Sequence, residues 1–169
     1  GSGKSTLVQA LGRLLPYKGR IYFEGEEIRQ IPRRKLAASM ALLSQIPALY
    51  FAYSVRQTVA MGRYPHVKGR LSGLSRADWD AVDACLEQMG ILDIADRPIT
   101  QISGGQLQRT LLARVFAQSP KVILLDEPLN HLDLACQVEL LEHLEYWQKE
   151  TQGVIIAVFH DLNLVRAFA

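Results

Sequence analysis

The sequence predicts an α/β fold in which a mostly parallel sheet is combined with an α-helical insert. Three observations favour this class. Short apolar runs alternate with segments of helical period, the apolar runs carry almost no charge, and residues 54–100 contain helical patterns alone. Because an uninterrupted apolar run is typical of a strand covered on both faces, the strands are expected to be parallel.

The first part of the chain predicts a helix, a strand, a helix and a strand. Leu7, Leu11 and Leu14 repeat with a helical period, and Pro16 ends that segment. An acidic turn over 24–26 follows the first strand, and Pro32 stands near the start of a short helix. The predicted bounds are a helix over 4–15, a strand over 20–23, a helix over 32–38 and a strand over 40–44.

The middle of the chain predicts helices. Ser75 and Asp78 have the spacing of a capping box, and Gly90 marks the end of the helix that they begin. Residues 64–73 are basic and contain glycine, which favours a surface loop. The predicted helices cover 55–62 and 75–89.

The last part alternates helices with buried strands. Gly104 opens a helix, and Ser119-Pro120 ends it before the apolar run 122–125. The predicted bounds are a helix over 104–117, a strand over 121–126, a helix over 134–148, a strand over 154–159 and a helix from 161. We therefore divide the chain into a core, residues 1–53 and 101–169, and an α-helical subdomain, residues 54–100.

The composition excludes several classes of protein. Nineteen Lys and Arg residues against 17 Asp and Glu residues give a net charge of +2, which does not favour a nucleic-acid partner. Cys85 and Cys136 form neither a disulfide framework nor a metal-binding pattern, so packed thiols are expected. The longest relevant uncharged run, 20 residues over 36–55, contains Pro47 and several polar residues, and a soluble protein is expected.

Residues 1–5 fit the last five positions of the phosphate-binding pattern G-x-x-x-x-G-K-[ST]. Backbone N–H groups of such a loop, and the positive end of the following helix, point at phosphate oxygens. Lys4 would reach the β- and γ-phosphates, and Ser5 would bind Mg²⁺. A Gly/Ser turn before an ordinary helix is the alternative. The candidate nucleotide contacts are Gly1, Ser2, Gly3, Lys4, Ser5 and Thr6.

A pair of acidic residues follows the apolar run 122–125. Asp126 would hold Mg²⁺ through its water shell, and Glu127 would act as the base that polarises the attacking water. Two solvated acids in a turn after a strand are the alternative. The phosphate-binding pattern upstream favours the catalytic interpretation.

A second candidate anion site stands at the start of the helix over 104–117. Ser103, Gly104, Gly105 and Gln106 would present backbone N–H groups at a helix N-terminus. One nucleotide does not need two such sites unless one of them serves another subunit. An ordinary helix N-cap with a flexible entry is the alternative.

Together these segments resemble the ATP-binding cassette (ABC) family, the ATP-hydrolysing subunits of ABC transporters. Residues 1–6 resemble the end of Walker A in a P-loop NTPase, 102–106 the signature motif and 124–127 Walker B. Residues 130–133 resemble the D-loop, His160 the switch histidine, and Gln45 the Q-loop glutamine. The motifs span almost the whole chain in the family's order.

The resemblance implies a role for each matching residue. Gln45 would touch Mg²⁺ or the attacking water, and His160 would bond to the γ-phosphate of ATP. Ser103 and Gly105 would contact the γ-phosphate bound to the opposite subunit, and Asp133 would span the interface of a head-to-tail dimer holding two ATP molecules. The implied partners are a second ATPase subunit, transmembrane permease subunits and an external substrate-binding protein, at the cytoplasmic face of the membrane.

Residues 58–66 and 158–164 resemble the importers of iron–siderophore, haem or cobalamin type. Three positions depart from the family's usual pattern, namely Leu129 after Pro128, Phe159 before His160, and Ile46 after Gln45. The alternatives are a non-transport ABC ATPase of DNA repair or translation and an inactive nucleotide-binding module. About 57 residues separate Gln45 from Ser103, without heptads or cysteine clusters, which disfavours the DNA-repair class.

Cassettes of this family have further residues before Walker A and after the switch histidine, and they are longer than 169 residues. The resemblance therefore implies a chain truncated at both ends, in which the strand over 154–159 has an open apolar edge. We expect the isolated chain to fold marginally and to bind ATP poorly.

Overall fold

The computed structural model describes residues 3–44, 53–67, 69, 72–130 and 132–159. The α-helices are α1 (Lys4–Leu11), α2 (Arg33–Ser39), α3 (Val55–Ala60), α4 (Arg76–Gln88), α5 (Gly104–Ala117) and α6 (Leu134–Thr151). The strands are β1 (Tyr22–Phe23), β2 (Glu26–Glu27), β3 (Met40–Ser44), β4 (Val122–Asp126) and β5 (Val154–Val158). Short 3₁₀ helices cover Met61–His66, Leu92–Ile94 and Ile99–Gln101.

The described residues form a parallel sheet with the strand order β3-β4-β5. In register, Asp126 at the end of β4 stands between Ser44 of β3 and Val158 of β5. All five residues of β4 are buried, as a strand covered on both faces requires. The α/β class with a parallel sheet is confirmed.

Alternate residues of β4 pack on opposite faces of the sheet. Ile123 and Leu125 belong to a large apolar cluster with α3, α4, α5 and α6. Val122 and Leu124 pack instead with Val8 of α1. Helix α1 therefore lies on one face of the sheet, and α5 and α6 lie on the other.

Strand β5 is at the edge of this sheet. Its residues Val154 and Ile156 are 52% and 38% exposed. An apolar edge strand with exposed alternate residues is the arrangement that the sequence predicts for this segment.

Helices α3 and α4 share the apolar cluster of the sheet through α5. Val59 and Leu86 are fully buried in that cluster together with Leu112. A capping box begins each of the two helices, with Ser54 paired to Gln57 in α3 and Ser75 paired to Asp78 in α4.

Helix α1 ends at Leu11, four residues before its predicted end. Arg13 takes a left-handed conformation (φ 54°), and its Nη1 donates to the carbonyl oxygens of Ile28 and Ile31, at 3.0 and 2.7 Å. A residue in this conformation cannot continue a right-handed helix. The chain turns here because the guanidinium group binds a segment distant in sequence.

The predicted turn after the first strand is confirmed at Glu24 and Gly25, whereas Glu26 already belongs to β2, so the turn is the tip of a hairpin. Strands β1 and β2 pair antiparallel, with Tyr22 opposite Glu27 and Phe23 opposite Glu26. Glu24 and Gly25 both have positive φ, 51° and 81°, which a two-residue hairpin of the right twist requires.

The predicted helix over 55–62 and loop over 64–73 also need correction. The α-helix ends at Ala60, and a 3₁₀ helix over Met61–His66 takes the first three residues of the expected loop. A Cβ atom at Gly62 would collide with the carbonyl oxygen of Arg114. Close packing against α5 therefore sets the path of this segment.

Helix α6 runs three residues beyond its predicted end, to Thr151. Gln152 follows in the left-handed conformation, and a Cβ at Gly153 would collide with the ring of Trp147. Phe116 of α5 stacks on the same ring. The predicted helix from 161 lies outside the described residues.

Asp78 joins α4 to the 3₁₀ helix over Met61–His66. It is 8% exposed, its Oδ2 accepts from the Ser75 hydroxyl at 2.6 Å, and its Oδ1 accepts from Nε of Arg63 at 3.0 Å. The hydrogen bonds from the hydroxyl and the backbone N–H of Ser75 contribute most to lowering the pKa of Asp78 to about 2, and Arg63 lowers it further. Arg63 continues to the carbonyl oxygen of Ala117 at the end of α5, at 2.8 Å.

We expect Asp78→Asn to lower the free energy of unfolding at pH 7 by about 2 kcal/mol. A carboxylate whose pKa is lowered on folding stabilises the fold above its unfolded pKa, and that contribution is lost as the pH falls toward the folded value. The difference from wild type should therefore shrink between about pH 4 and pH 2, as measured by urea unfolding. Asp80→Asn, at an exposed position of the same helix, is the control and should change stability little. Equal losses in both variants would contradict the assignment.

Within the described residues, no helix combines the length and the apolar character needed to cross a membrane.

Candidate functional site

Asp126 is the last residue of β4, at the edge of the sheet where the parallel strands have their carboxyl ends. It is 8% exposed, and its Oδ1 has no hydrogen-bond partner among the described residues. Leaving a buried carboxylate oxygen without a partner is costly in a folded protein. The atom is thus suited to a cation or to the water that a cation holds. Gln45 and His160, predicted to lie beyond β3 and β5, are outside the described residues.

Glu127 follows Asp126 in a left-handed conformation, with φ at 53°. Its N–H donates to the carbonyl oxygen of Val158 at 3.0 Å, which ties the turn to β5. Its Oε2 accepts from Nδ2 of Asn130 at 2.7 Å. Non-glycine residues in this conformation are uncommon and concentrate at functional sites. The structure therefore sets the two acidic residues side by side at one sheet edge, as predicted from the sequence.

Gly3 begins α1 in a left-handed conformation, with φ at 74°. A Cβ at Gly3 would meet nothing within 4 Å, and Gly3, as the N-cap residue, makes no side-chain cap bond. The first N–H groups of a helix have no partner within the helix, and such an N-terminus is a common site of phosphate binding. Lys4 and Thr6 are exposed and Ser5 is half-buried. Gly1 and Ser2 lie outside the described residues.

The direction of α1 follows from its packing on the sheet. Gly12, just after the helix, faces Leu124 and lies near Met40 at the start of β3. Val8, one turn earlier, packs with Val158 at the end of β5. The N-terminus of α1 is therefore directed toward the carboxyl ends of the strands, the edge that holds Asp126.

Ser103 caps α5 in a reciprocal arrangement with Gln106. The Ser103 hydroxyl accepts from the Gln106 N–H at 3.2 Å, and the Gln106 side chain accepts from the Ser103 N–H at 3.0 Å. Ser103 and Gly104 are exposed, and a Cβ at Gly104 would meet nothing within 4 Å. The start of α5 thus presents an open, glycine-containing N-terminus to the surface.

Asp133 caps the neighbouring helix, α6. Its Oδ1 accepts from the N–H of Cys136 at 2.8 Å, and bonds with Cys136 lower the pKa of Asp133. The same pairing raises the pKa of the Cys136 thiol. The sulfur lies against the start of α5, because a Cβ at Gly105 would stand 3.2 Å from it.

The candidate residues accordingly form two groups. Gly3, Lys4, Ser5 and Thr6 start the helix directed at the sheet edge with Asp126 and Glu127, whereas Ser103, Gly104, Gly105, Gln106 and Asp133 lie at the adjoining ends of α5 and α6. Since α1 and α5 lie on opposite faces of the sheet, the two helix N-termini are not brought together on one face. Asn130 is a contact of Glu127 that the motifs did not indicate. The sequence signals were an amide three residues after Glu127 and its place at the start of the segment that resembles the D-loop, 130–133.

No group of three His, Cys, Asp or Glu side chains that could hold a metal occurs in the described part of the chain. Mg²⁺ needs no such group, since one or two carboxylates with phosphate oxygens and waters suffice for it. Asp126, with its unpartnered buried oxygen, fits that mode of binding.

A family model described as ABC transporter matches residues 1–130. The achromobactin transport ATP-binding protein CbrD of Dickeya dadantii is 41% identical, over 100% of this chain and 63% of that protein. The ferric enterobactin transport ATP-binding protein FepC of Escherichia coli is 37% identical, over 100% of this chain and 62% of that protein. The chain thus spans a little under two thirds of the length of these relatives.

Among solved structures, cbiO1 from Clostridium perfringens, part of the ABC transporter complex cbiONQ, matches with a TM-score of 0.81. It is 33% identical, and the match covers 100% of this chain and 68% of that chain. With 130 of the 169 residues inside the family model, the chain belongs to the ABC transporter family.

Proposed function

We propose that the chain is the ATP-binding and ATP-hydrolysing part of an importer for iron–siderophore complexes, haem or cobalamin, and that iron–siderophore complexes are the substrate class the relatives favour. The observation that carries the proposal is the buried carboxylate of Asp126, whose Oδ1 has no partner among the described residues, directly followed by Glu127. The names of the relatives support the substrate class, since they concern achromobactin and ferric enterobactin.

The residues around the sheet edge would bind ATP and Mg²⁺. The N–H groups at the start of α1, together with Gly1, Ser2 and Gly3, would hold the phosphate oxygens, and Lys4 would pair with the β- and γ-phosphates. Ser5, Gln45 and Asp126 would hold Mg²⁺, directly or through water. Bound Mg²⁺ supplies positive charge that neutralises the phosphates during transfer.

Glu127 would accept a proton from the water that attacks the γ-phosphate. The new P–O bond forms as the bond to the β-phosphate oxygen breaks, giving ADP and inorganic phosphate. His160 would donate a hydrogen bond to the γ-phosphate. The fixed conformation of Glu127, held by Val158 and Asn130, supports this role because a base must keep its position relative to the attacking water.

The start of α5 would complete the site of a second subunit. Ser103, Gly104, Gly105 and Gln106 would contact the γ-phosphate of ATP held by the partner, and Asp133 would cross the interface. The location of α1 and α5 on opposite faces of the sheet supports action between subunits. We propose residues 54–100 as the helical subdomain, with permease subunits and an external binding protein as partners and the cytoplasmic membrane face as the location.

Two of the departures from the family's pattern are compatible with this function. Leu129 is 6% exposed within the large apolar cluster, and Phe159 packs against the same cluster. Their side chains therefore contribute to packing beneath the site. Ile46 lies outside the described residues.

Uptake of iron tests the proposal. Cells lacking the gene are complemented with the wild-type gene, with Lys4→Ala, or with Lys18→Ala as an exposed lysine control. We expect wild type and Lys18→Ala to restore uptake of radioactive iron supplied as ferric siderophores, and Lys4→Ala to abolish it. Uptake by the Lys4→Ala cells would contradict the nucleotide role. Failure of wild type with ferric siderophores, haem and cobalamin alike would contradict the substrate class.

A further inference from the structure

The side chain of Asn130 contacts the carboxylate of Glu127. The distance from Nδ2 of Asn130 to Oε2 of Glu127 is 2.7 Å, which is short for a bond donated by a neutral amide. An ionised carboxylate only accepts hydrogen bonds, so the amide must present its nitrogen rather than its oxygen. The chemistry of the pair thus fixes the orientation of the Asn130 amide.

The backbone between these two residues forms a closed turn. The N–H of Asn130 donates to the carbonyl oxygen of Glu127 at 3.3 Å, and Glu127 takes its left-handed conformation at the start of the turn. Pro128 and Leu129 are buried between them. Main-chain and side-chain bonds therefore join the same two residues.

The turn is also attached to α6. Nε2 of Gln137 donates to the carbonyl oxygens of Leu129 and Leu132, at 3.2 and 3.1 Å. Leu129 anchors the segment in the apolar cluster from the other side. Asn130 thereby stands on a backbone that is fixed on both sides, although its own side chain is exposed.

We propose that Asn130 is a positioning residue that holds the Glu127 carboxylate in one orientation for proton transfer. The inference rests on the proposed role of Glu127 as the base. A carboxylate on a flexible side chain rotates about its terminal bond, and a bond to Oε2 restricts that rotation. Aspartate at position 130 would accept rather than donate and would bring a second negative charge to the base. Serine is too short to span the same distance from the same backbone.

The test compares Asn130→Ala, Asn130→Asp and Asn130→Ser with Gln137→Ala in the full-length protein. For Asn130→Ala and Asn130→Asp we expect kcat of ATP hydrolysis to fall by about 10- to 100-fold, with KM for ATP within about twofold of wild type. The loss should be larger for Asn130→Asp than for Asn130→Ala, because a carboxylate at position 130 repels the carboxylate of Glu127 and cannot donate a hydrogen bond to it. Asn130→Ser should lower kcat in the same sense and keeps the test decisive if Asn130→Asp does not fold.

Gln137→Ala is the structural control, because it loosens the same turn without removing the bond to Glu127. It should lower the melting temperature and leave kcat close to that of wild type. In a Glu127→Gln background, Asn130→Ala should cause no further loss of residual turnover, since the two residues would act as one unit.

Wild-type kcat in all folded Asn130 variants would overturn the inference, and so would a fall of kcat in Gln137→Ala as large as that in Asn130→Ala. An independent, additive loss in the double variant would overturn it as well. Failure of the proposed function has a different signature, namely full turnover in Glu127→Gln. An active wild type, an inactive Glu127→Gln and fully active Asn130 variants would reject the role of Asn130 alone.

Discussion

Glu127→Gln is expected to retain ATP binding and to lose ATP turnover by about 10²- to 10⁴-fold, the usual contribution of a general base. Glutamine has nearly the shape of glutamate, and its side-chain oxygen can still accept the hydrogen bond that Asn130 donates. It cannot take a proton from water. The substitution therefore removes proton acceptance while it keeps the contacts of the turn.

The measurement is kcat for phosphate release alongside the Kd for ATP, both in the full-length protein. A matched control is Glu24→Gln, since Glu24 also has a positive φ of 51°. Glu24 lies in the hairpin turn and pairs with Lys121 at 2.6 Å, a surface ion pair of small energetic value. We expect Glu24→Gln to hydrolyse ATP like wild type. Wild-type turnover by Glu127→Gln would show that another group is the base.

The elements that the sequence predicted best are those with local signals. The apolar run of β4 matches a strand buried on both faces, and the bounds of α5 agree with prediction at both ends. The predicted capping box of Ser75 and Asp78 is confirmed. It was predictable because its two residues are only three positions apart. Such signals depend only on residues that are close in the sequence, so they can be recognised without the structure.

The errors arise where distant residues decide the local backbone. Arg13 ends α1 early because it binds carbonyl oxygens of Ile28 and Ile31, which lie 15 and 18 positions away. The 3₁₀ helix over Met61–His66 depends on the Gly62 contact with α5 and on the bond from Arg63 to Ala117, 54 positions away. No pattern within either segment contains that information.

The candidate site divides in the same way. The apolar run 122–125 predicted a buried strand that ends at Asp126 and Glu127, because the end of a strand can be read from its own sequence. The contact between Asn130 and Glu127 depends on a turn that begins with a left-handed glutamate, a conformation that no propensity favours for that residue. The sequence therefore predicted that both acidic residues lie at the end of a strand, whereas only the structure showed that Asn130 binds the carboxylate of Glu127.

Ser103→Arg is expected to abolish ATP hydrolysis without weakening ATP binding to a single subunit. Ser103 is exposed at the start of α5, on the face of the sheet opposite α1, so a long side chain there leaves the nucleotide contacts of its own subunit in place. The arginine side chain would instead occupy the place where the Ser103 hydroxyl and the N–H groups at the start of α5 are proposed to contact the ATP of the partner subunit. Hydrolysis and ATP binding are measured separately, the latter at protein concentrations that keep the subunits apart.

Loss of the helix cap alone could also reduce activity, since an N-cap serine contributes about 1 kcal/mol to stability. Ser75→Arg controls for this, because Ser75 is an exposed N-cap in the same kind of capping box at the start of α4. We expect Ser75→Arg to lower the melting temperature and to keep turnover close to wild type. Equal loss of turnover in both variants would attribute the effect to the cap.

Mixing two inactive variants makes the test specific to action between subunits. In a mixed dimer of Ser103→Arg and Lys4→Ala subunits, one site combines the intact Lys4 of the first subunit with the intact Ser103 of the second. The other site carries both substitutions. An equal mixture forms mixed dimers about half of the time, and each has one intact site of two, so independent sites would recover about a quarter of wild-type turnover. If Ser103 served the nucleotide of its own subunit, every site would carry one substitution and mixing would restore nothing.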